Sequence, residues 1–337
     1  MTPSIQDNAH WIGDDLGKDQ RWLHRLSDAE ISDLQAMASQ LRDSVRGNPN
    51  ALLTMDRDAF DLGCFAERLG LVYDGLKFEQ GIALIRGLPS AQMDPIDVGI
   101  IYWAIGRHLG IATPNNPEGD MFGHITDLGK TQLDPTTRGY QTRELMDYHC
   151  DQCDIVGLLC VRPAKSGGVS MVSSSVAMYN TLRARHPEFA EALTKPLCWS
   201  KMGEHAPGDL PYYTSAVFNF FDGQICTSFG PKHIEKGHAL PETPDLTALQ
   251  HDAIRMAEQI AHDQRYEMVL EQGDMQFVNN YVSLHSRSEY QDHDDPAKKR
   301  LLWRLWLMND DLRPRTGYSQ QFLNGVNLGK GNAQIRL

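Results

Sequence analysis

The chain has 337 residues, of which 41% are hydrophobic and 23% charged, and its formal net charge is −12. This composition is typical of a globular protein with a sizeable core. An acidic chain without a Lys/Arg cluster is not expected to bind nucleic acid or an anionic membrane surface, because both carry negative charge. We therefore expect a small-molecule partner, and the sequence leaves open whether copies of the chain form a homo-oligomer.

Membrane and secretory features are not predicted. No segment approaches the roughly 18 consecutive apolar residues of a transmembrane helix. Residues 1–18 lack the basic and apolar regions of a secretory signal. The six cysteines are scattered, so we expect no disulfide framework and a reducing, cytoplasmic compartment.

The first half of the chain contains three clear elements. Ser27-Asp28-Ala29-Glu30 is a capping box, and the apolar residues after it recur with helical spacing. Residues 81–87 form a short apolar run closed by glycine, which predicts a buried strand. Asp94-Pro95 then opens a predicted helix that Gly110 ends.

The second half is richer in strands. Strands are predicted at residues 155–161, 169–173, 217–221, 225–229, 275–278 and 301–308, with helices at 176–185, 188–193 and 245–262. Irregularly spaced strands with inserted helices favour a mainly β (α+β) fold, a β-barrel or jelly roll flanked by helices. We expect a single domain over 1–337, with an N-terminal helical extension over about 1–75 and a polar, loosely packed tail over about 310–337.

A candidate metal site centres on His149 and Asp151. These residues are two apart, so in an extended backbone both side chains point to the same face. His285 is far away in sequence, but a barrel can bring a distant strand alongside. Two imidazoles and one carboxylate on one face of an octahedron leave three positions open, as in non-haem Fe(II) oxygenases. By itself a His-x-Asp pair says little, because the chain has 13 histidines and many aspartates.

A strand with two arginines strengthens the prediction. In residues 300–307, Arg300 and Arg304 share one face with Leu302 and Trp306, while the other face is apolar. Arginines inside a barrel are costly without an anionic partner, which a dicarboxylate would supply through the planar guanidinium. The alternative is an edge strand whose arginines reach solvent.

Taken together, these residues resemble the taurine dioxygenase-like (TauD/TfdA) family of Fe(II)/2-oxoglutarate-dependent dioxygenases. The resemblance runs from about Gly81 to Met308, roughly two thirds of the chain. Its motifs are specific in combination and weak singly. The matching residues are His149 and Asp151, His285 with Asn280 five residues before it, Arg300 and Arg304, and Gly167-Gly168-Val169-Ser170.

The resemblance implies a double-stranded β-helix (jelly-roll, cupin-like) core, with Fe(II) as cofactor and 2-oxoglutarate and O2 as co-substrates. Arg300 would hold the distal carboxylate of 2-oxoglutarate, and Ser170, where the family often has Thr, would hydrogen-bond the same group. Arg304 would support the co-substrate or face the substrate. Asn280, Tyr148 and His124 are the candidate substrate contacts, although Asn280 could be a turn residue and Tyr148 a core residue.

The implied reaction is oxidation of a small molecule, with hydroxylation as the leading choice and release of succinate and CO2. Desaturation, cyclisation and oxidative cleavage remain open, whereas the Asp151 carboxylate disfavours halogenation. The residues also leave open a 2-oxoglutarate-independent iron oxidase and a non-catalytic ligand-binding barrel. Cys150 and Cys153 could suggest zinc, but the chain has no second Cys-x-x-Cys pair to complete a structural site.

Overall fold

The structure is a computed structural model that describes residues 4–131, 137–205, 207–326 and 332–337. Within these ranges the α-helices are α1 Gly13–Lys18, α2 Asp28–Val45, α3 Phe65–Phe78, α4 Pro95–Leu109, α5 Ser175–Arg185, α6 Pro187–Ala192, α7 Pro231–His238 and α8 Ala248–Asp263. The strands of the same ranges are β1 Leu23–Arg25, β2 Ile82–Arg86, β3 Ile111–Thr113, β4 Gly123–Ile125, β5 Ile155–Arg162, β6 Ser166–Gly167, β7 Ser170–Ser174, β8 Leu197–Ser200, β9 Tyr212–Ser215, β10 Phe218–Phe221, β11 Gln224–Thr227, β12 Tyr266–Met268, β13 Met275–Asn279, β14 Ser283–Arg287, β15 Tyr290–Gln291 and β16 Leu301–Met308. None of the helices in the described ranges is both long and apolar enough to cross a membrane.

The predicted helix starts are confirmed. Ser27 accepts a hydrogen bond from the Glu30 backbone, and the Glu30 carboxylate accepts one from the Ser27 backbone, so α2 opens with a complete capping box. The Asp94 side chain accepts from Ile96 N–H at 3.0 Å to cap α4, which ends before Gly110. Local sequence therefore suffices to set these boundaries.

A seven-stranded sheet forms the larger part of the core. Its order is β1-β2-β13-β5-β16-β3, with β4 also paired to β16. β5 pairs in antiparallel fashion with β13 on one side and with β16 on the other. On one side of β16, Trp303, Leu305 and Leu307 pack in the same apolar cluster as α4. Leu302 and Trp306 lie on the other side, towards the candidate site, as the predicted alternation requires.

A smaller antiparallel sheet lies on the other side of that site. Its order is β12-β7-β14, and β14 carries His285 opposite Val172 of β7. A backbone bridge between His149 and His285 joins this sheet to the segment that leads into β5. The architecture is therefore mixed α+β, with the site between a larger and a smaller sheet.

The two chain ends pack more closely than their sequences suggest. The N-terminal region contains, besides its helices, strand β1, which pairs in parallel with β2. In the described part of the tail, Leu312, Tyr318 and Ile335 are buried, and Arg315 pairs with the fully buried Asp154 at 2.6 Å. The expectation of a loosely packed tail is corrected, because its few apolar residues and its arginine find partners that only the folded chain supplies.

Candidate active site

Three side chains converge between the two sheets. The backbones of His149 and His285 exchange two hydrogen bonds, each of 3.0 Å, which sets their side chains next to each other. Their ring centroids are 4.2 Å apart, and His285 Nε2 lies 3.8 Å from Asp151 Oδ2. The candidate ligand atoms of His149, Asp151 and His285 all lie within 4.8 Å of one another. The His-x-Asp spacing and the distant histidine thus meet at one point, as a three-ligand metal site requires.

The arrangement of the two imidazoles suits metal binding. His149 Nδ1 lies 2.8 Å from the Asp147 carbonyl oxygen, which can only accept, so Nδ1 donates this hydrogen bond and Nε2 is the nitrogen left for a metal. Burial and the neighbouring His149 lower the pKa of His285 to about 3. Its ring is therefore neutral at ordinary pH and also has a lone pair to offer a cation.

Asp151 is held by side chains of β16. Arg304 Nη1 lies 3.1 Å from Oδ1 and 3.3 Å from Oδ2, and Trp306 Nε1 donates to Oδ2 at 3.0 Å. Arg304 Nε donates in turn to Asn115 Oδ1 at 2.8 Å. Burial alone would raise the pKa of Asp151, but Arg304 and the two histidines hold it well below its usual range. The carboxylate is therefore ionised and oriented, and each oxygen still has a lone pair for a metal.

We expect Trp306→Phe to weaken Fe(II) binding by roughly 10-fold, because loss of a hydrogen bond to a ligating carboxylate typically costs a factor of about 10–100. The substitution leaves the net charge of the protein unaltered and keeps an aromatic side chain in the apolar cluster that contains residue 306. The measurement is an anaerobic Fe(II) titration, with Trp303→Phe as the matched control on the opposite strand face. Equal iron affinities in the two variants would show that the indole does not support Asp151.

Asn280 organises the segment that carries Asp151. Its side-chain oxygen accepts from Asp151 N–H at 3.1 Å, and its side-chain nitrogen donates to the Cys153 carbonyl oxygen at 2.9 Å. Asn280 is buried, and these bonds direct its amide towards the backbone. The expectation of a substrate contact at Asn280 is corrected: the side chain positions a metal ligand.

A cationic cavity adjoins the triad on the His285 side. Arg287, Arg300 and Arg304 contribute to its lining, and none of the described lining residues is Asp or Glu. Arg287 and Arg300 are each 5% exposed, and both guanidinium groups lie over the ring of Tyr290, at 4.6 and 5.1 Å. Burial lowers the pKa of Arg300, and burial together with Arg300 lowers that of Arg287 to about 10. Arginine side chains nevertheless stay protonated in proteins, so the cavity is positively charged. Two such buried like charges favour a dianionic occupant.

Unpartnered buried atoms of Arg300, which lines this cavity, and of Gln276, which is hydrogen-bonded to the lining residue Ser170, are consistent with that occupant. Among the described residues, Arg300 Nη1 and Gln276 Nε2 have no hydrogen-bond partner. Ser170 Oγ donates to Gln276 Oε1 at 2.8 Å. Turning the Gln276 amide would make it the donor to Ser170 and free the hydroxyl proton to face a carboxylate. Arg300 and Ser170, both predicted, line this cavity together.

Arg287 and Tyr290 were missed by the sequence analysis. A signal existed for Arg287, because it follows His285 by two residues on the same strand and therefore shares its face. Tyr290 had no such signal, since its place beside both guanidinium groups depends on the pairing of β15 with β6.

The family model described as "Taurine catabolism dioxygenase TauD, TfdA family" matches residues 65–306, well over half of the chain. The chain belongs to the TauD/TfdA family. Among its relatives, FR-33289 synthase of Streptomyces rubellomurinus is 34% identical over 261 residues, which cover 75% of this chain and 76% of the relative. The taurine hydroxylase-like protein SAT17 of Stachybotrys chartarum is 24% identical over 93% of this chain and 82% of its own length.

Solved structures with the same fold include two iron oxygenases. Asparagine oxygenase, in complex with Fe(II), 2S,3S-3-hydroxyasparagine and succinate, aligns with a TM-score of 0.67 at 17% identity, over 85% of this chain and 93% of that one. The non-heme iron oxygenase OrfP, in complex with Fe and alpha-ketoglutaric acid, aligns with a TM-score of 0.64 at 15% identity, over 86% and 94%. This TauD/TfdA chain thus combines their fold with a His-Asp-His triad of its own.

Two further predicted substrate contacts of this TauD/TfdA member point away from the triad. His124 pairs with Trp303 in the strand register, its ring lies 6.2 Å from the Trp303 ring, and its Nε2 lies 3.1 Å from the Arg336 carbonyl oxygen. Trp303 is on the face opposite Arg304, so His124 faces the apolar side of the sheet. Tyr148 is buried in the core, with its hydroxyl 3.6 Å from the Met171 sulfur. Both substrate assignments are corrected, because the register of β4 with β16 turns His124 away and packing in the core holds Tyr148 away.

The two cysteines beside the triad do not support zinc. Across residues 4–131, 137–205, 207–326 and 332–337, the convergent group of potential metal ligands is the His149-Asp151-His285 triad, without a thiol. Burial raises the pKa of Cys150 to about 12 and that of Cys153 well above its usual value. Neutral, buried thiols are poor metal ligands, since the thiolate is the form that binds.

Proposed function

We propose that this TauD/TfdA protein is an Fe(II)/2-oxoglutarate-dependent dioxygenase that hydroxylates a small molecule, with release of succinate and CO2. The observation that carries the proposal is the pairing of a His-Asp-His triad with an adjoining cavity lined by arginines. An iron oxidase that needs no 2-oxoglutarate would have no use for buried, partly unpartnered arginines beside its metal. A non-catalytic barrel would not need the triad either.

The donor set fits the implied groups. His149, Asp151 and His285 would hold Fe(II) on one face, with two imidazoles and one ionised carboxylate. Bound there, the iron supplies the redox chemistry that activates O2, with 2-oxoglutarate as the source of two electrons. The protein's share is to orient the ligands, bind the co-substrate and enclose the reaction.

Each cationic residue has a distinct proposed task. Arg300 would bind the distal carboxylate of 2-oxoglutarate through its planar fork, and Ser170 would donate a hydrogen bond to the same carboxylate. Arg287 would add positive charge beside Arg300. Arg304 also lines this cavity, where its Nη2 has no partner among the described residues, so it would serve the co-substrate while it orients Asp151.

We further propose that the two sheets together form the double-stranded β-helix core. The support is that the larger sheet supplies Arg304 and Trp306, the smaller one supplies His285, and the triad lies between them. Antiparallel pairing predominates in both sheets.

The relatives differ in what they act on. One is named uridine-5'-phosphate dioxygenase, whereas solved neighbours were crystallised with hydroxyasparagine or (3S)-hydroxy-L-Arg. We propose a small-molecule substrate for this chain as well. It would enter a second cavity next to the triad, on the Asp151 side.

The test is anaerobic reconstitution with Fe(II) and 2-oxoglutarate. We expect a metal-to-ligand absorption band that needs both components, and slow formation of succinate once O2 is admitted. A metabolite panel then identifies the substrate as the compound that perturbs the band and accelerates succinate formation. Turnover of a substrate without 2-oxoglutarate, or absence of both the band and succinate from iron-loaded protein, would overturn the proposal.

A further inference from the structure

The second cavity is bounded on one side by the triad and on the other by α7. It shares His149 and Arg304 with the 2-oxoglutarate cavity, so an occupant of either lies beside the same metal position. Its charged lining comprises the cations Arg138, Lys232, Lys236 and Arg304 and the carboxylates Asp147 and Asp151. Asp151 is a member of the triad, and Arg304 is hydrogen-bonded to it. The remaining charged residues, Arg138, Lys232, Lys236 and Asp147, form a separate group in the lining.

Helix α7 is attached directly to the metal-binding segment. Asp147 Oδ2 lies 3.4 Å from the Lys232 backbone nitrogen and Asp147 Oδ1 lies 3.8 Å from Lys232 Nζ. The carbonyl of the same Asp147 accepts the hydrogen bond from His149 Nδ1. Lys232 and Lys236 are four residues apart and therefore lie on the same helix face. Asp147 thus links Lys232 directly to the segment that carries His149, and Lys236 lies one helical turn further along α7.

Arg138 completes the group from another segment. Lys236 Nζ lies 3.4 Å from the carbonyl oxygen of Thr137, the residue before Arg138. The Arg138 side chain is only 10% exposed and pairs with Glu204. Its Nε, also buried, has no hydrogen-bond partner among the described residues. A buried guanidinium with a spare donor, next to two lysines, favours an anion in the cavity.

We propose that the substrate carries a phosphoryl group, either a phosphate ester or a phosphonate, that binds between Arg138, Lys232 and Lys236. The inference rests on the proposed function, since it names the substrate class of that site. A carboxylate has two coplanar oxygens that one arginine fork can satisfy, whereas a phosphoryl dianion has three oxygens directed to different sides. Cations from two separate segments match the second geometry. The group also anchors one end of the substrate while the rest reaches towards the triad.

The experiment measures calorimetric binding of methylphosphonate, inorganic phosphate and acetate to anaerobic protein loaded with Fe(II) and saturating 2-oxoglutarate. We expect the two phosphorus anions to bind and acetate to bind at least 10-fold more weakly. Lys236→Gln and Lys232→Gln should each weaken methylphosphonate binding by 10-fold or more. Lys195→Gln, an equal charge change at an exposed lysine paired with Glu191, should leave it unaltered.

The outcomes separate this inference from the proposed function. Equal binding of acetate and methylphosphonate, or unchanged affinity in both α7 variants, would overturn the phosphoryl site. Binding of Fe(II) and 2-oxoglutarate is followed in the same samples by the absorption band, so its loss in unsubstituted protein would instead refute the dioxygenase proposal. Whether alkyl phosphates or alkylphosphonates stimulate succinate formation then distinguishes a phosphate-ester substrate from a phosphonate substrate. Thermal unfolding verifies that the variants are folded.

Discussion

Replacement of His149, Asp151 or His285 by alanine is expected to abolish turnover and stoichiometric Fe(II) binding. Loss of a residue that merely supports a metal ligand typically weakens binding by about 10–100-fold, so loss of a ligand should cost more. No other described His, Cys, Asp or Glu joins the convergent group to take the vacated place. The effect should therefore be near-complete in each variant.

The measurement is iron content after anaerobic loading and desalting, alongside succinate formation. His251→Ala, at an exposed histidine of α8, is the matched control and should keep one iron per chain. Asp151→Ala also leaves Arg304 buried without its carboxylate, so Asp151→Asn is needed to separate ligand loss from destabilisation. Full iron occupancy in the three alanine variants would place the metal elsewhere.

Arg300→Ala should raise the concentration of 2-oxoglutarate needed for half-saturation by roughly 10- to 100-fold. A charge-assisted hydrogen bond contributes about 1.5–3 kcal/mol, and each 1.4 kcal/mol is about tenfold in affinity. The cavity is lined by further buried arginines, so the anion would still be attracted but would lose its bidentate partner. Arg300→Lys keeps the positive charge but cannot form the bidentate contact. Its half-saturating 2-oxoglutarate concentration should therefore lie between those of the unsubstituted protein and Arg300→Ala.

The half-saturating concentration is read from the absorption band and from succinate formation. Fe(II) affinity without 2-oxoglutarate should be unaltered, because Arg300 touches none of the three proposed ligands in the structure. Arg46→Ala, at a half-exposed arginine paired with Asp94, controls for loss of a positive charge. If Arg300→Ala and Arg46→Ala require the same 2-oxoglutarate concentration, the arginine assignment is wrong.

Arg304 illustrates how a correct local prediction can leave the role of a residue open. Strand alternation placed it on the interior face with Leu302 and Trp306, and the structure confirms that placement. Its partners, however, are Asp151 and Asn115. Those contacts depend on how β16 lies against the segment before β5, which spacing along one strand does not encode.

His124 illustrates the opposite case. Its neighbourhood in the sequence suggested a substrate contact, but its pairing with Trp303 turns the ring to the apolar face of the sheet. A shift of one residue in strand register would reverse that orientation. Register between strands that are distant in sequence is a tertiary property, so the sequence could not determine it.

Local patterns in the sequence were enough to place His149 and Asp151 on one face, to put Arg304 on the interior face of its strand and to set the ends of α2 and α4, because these follow from spacing and capping within a few residues. His285 is distant in sequence and was assigned to the site with the help of the family resemblance. The folded chain was needed to establish which carboxylate Arg304 orients, that Arg287 joins Arg300, and that Asp147 links Lys232 of α7 to the segment of the triad. These arrangements depend on backbone pairing and side-chain contacts between segments far apart in the chain. The three-ligand site could thus be predicted from short motifs combined with the family resemblance, whereas its surroundings result from packing.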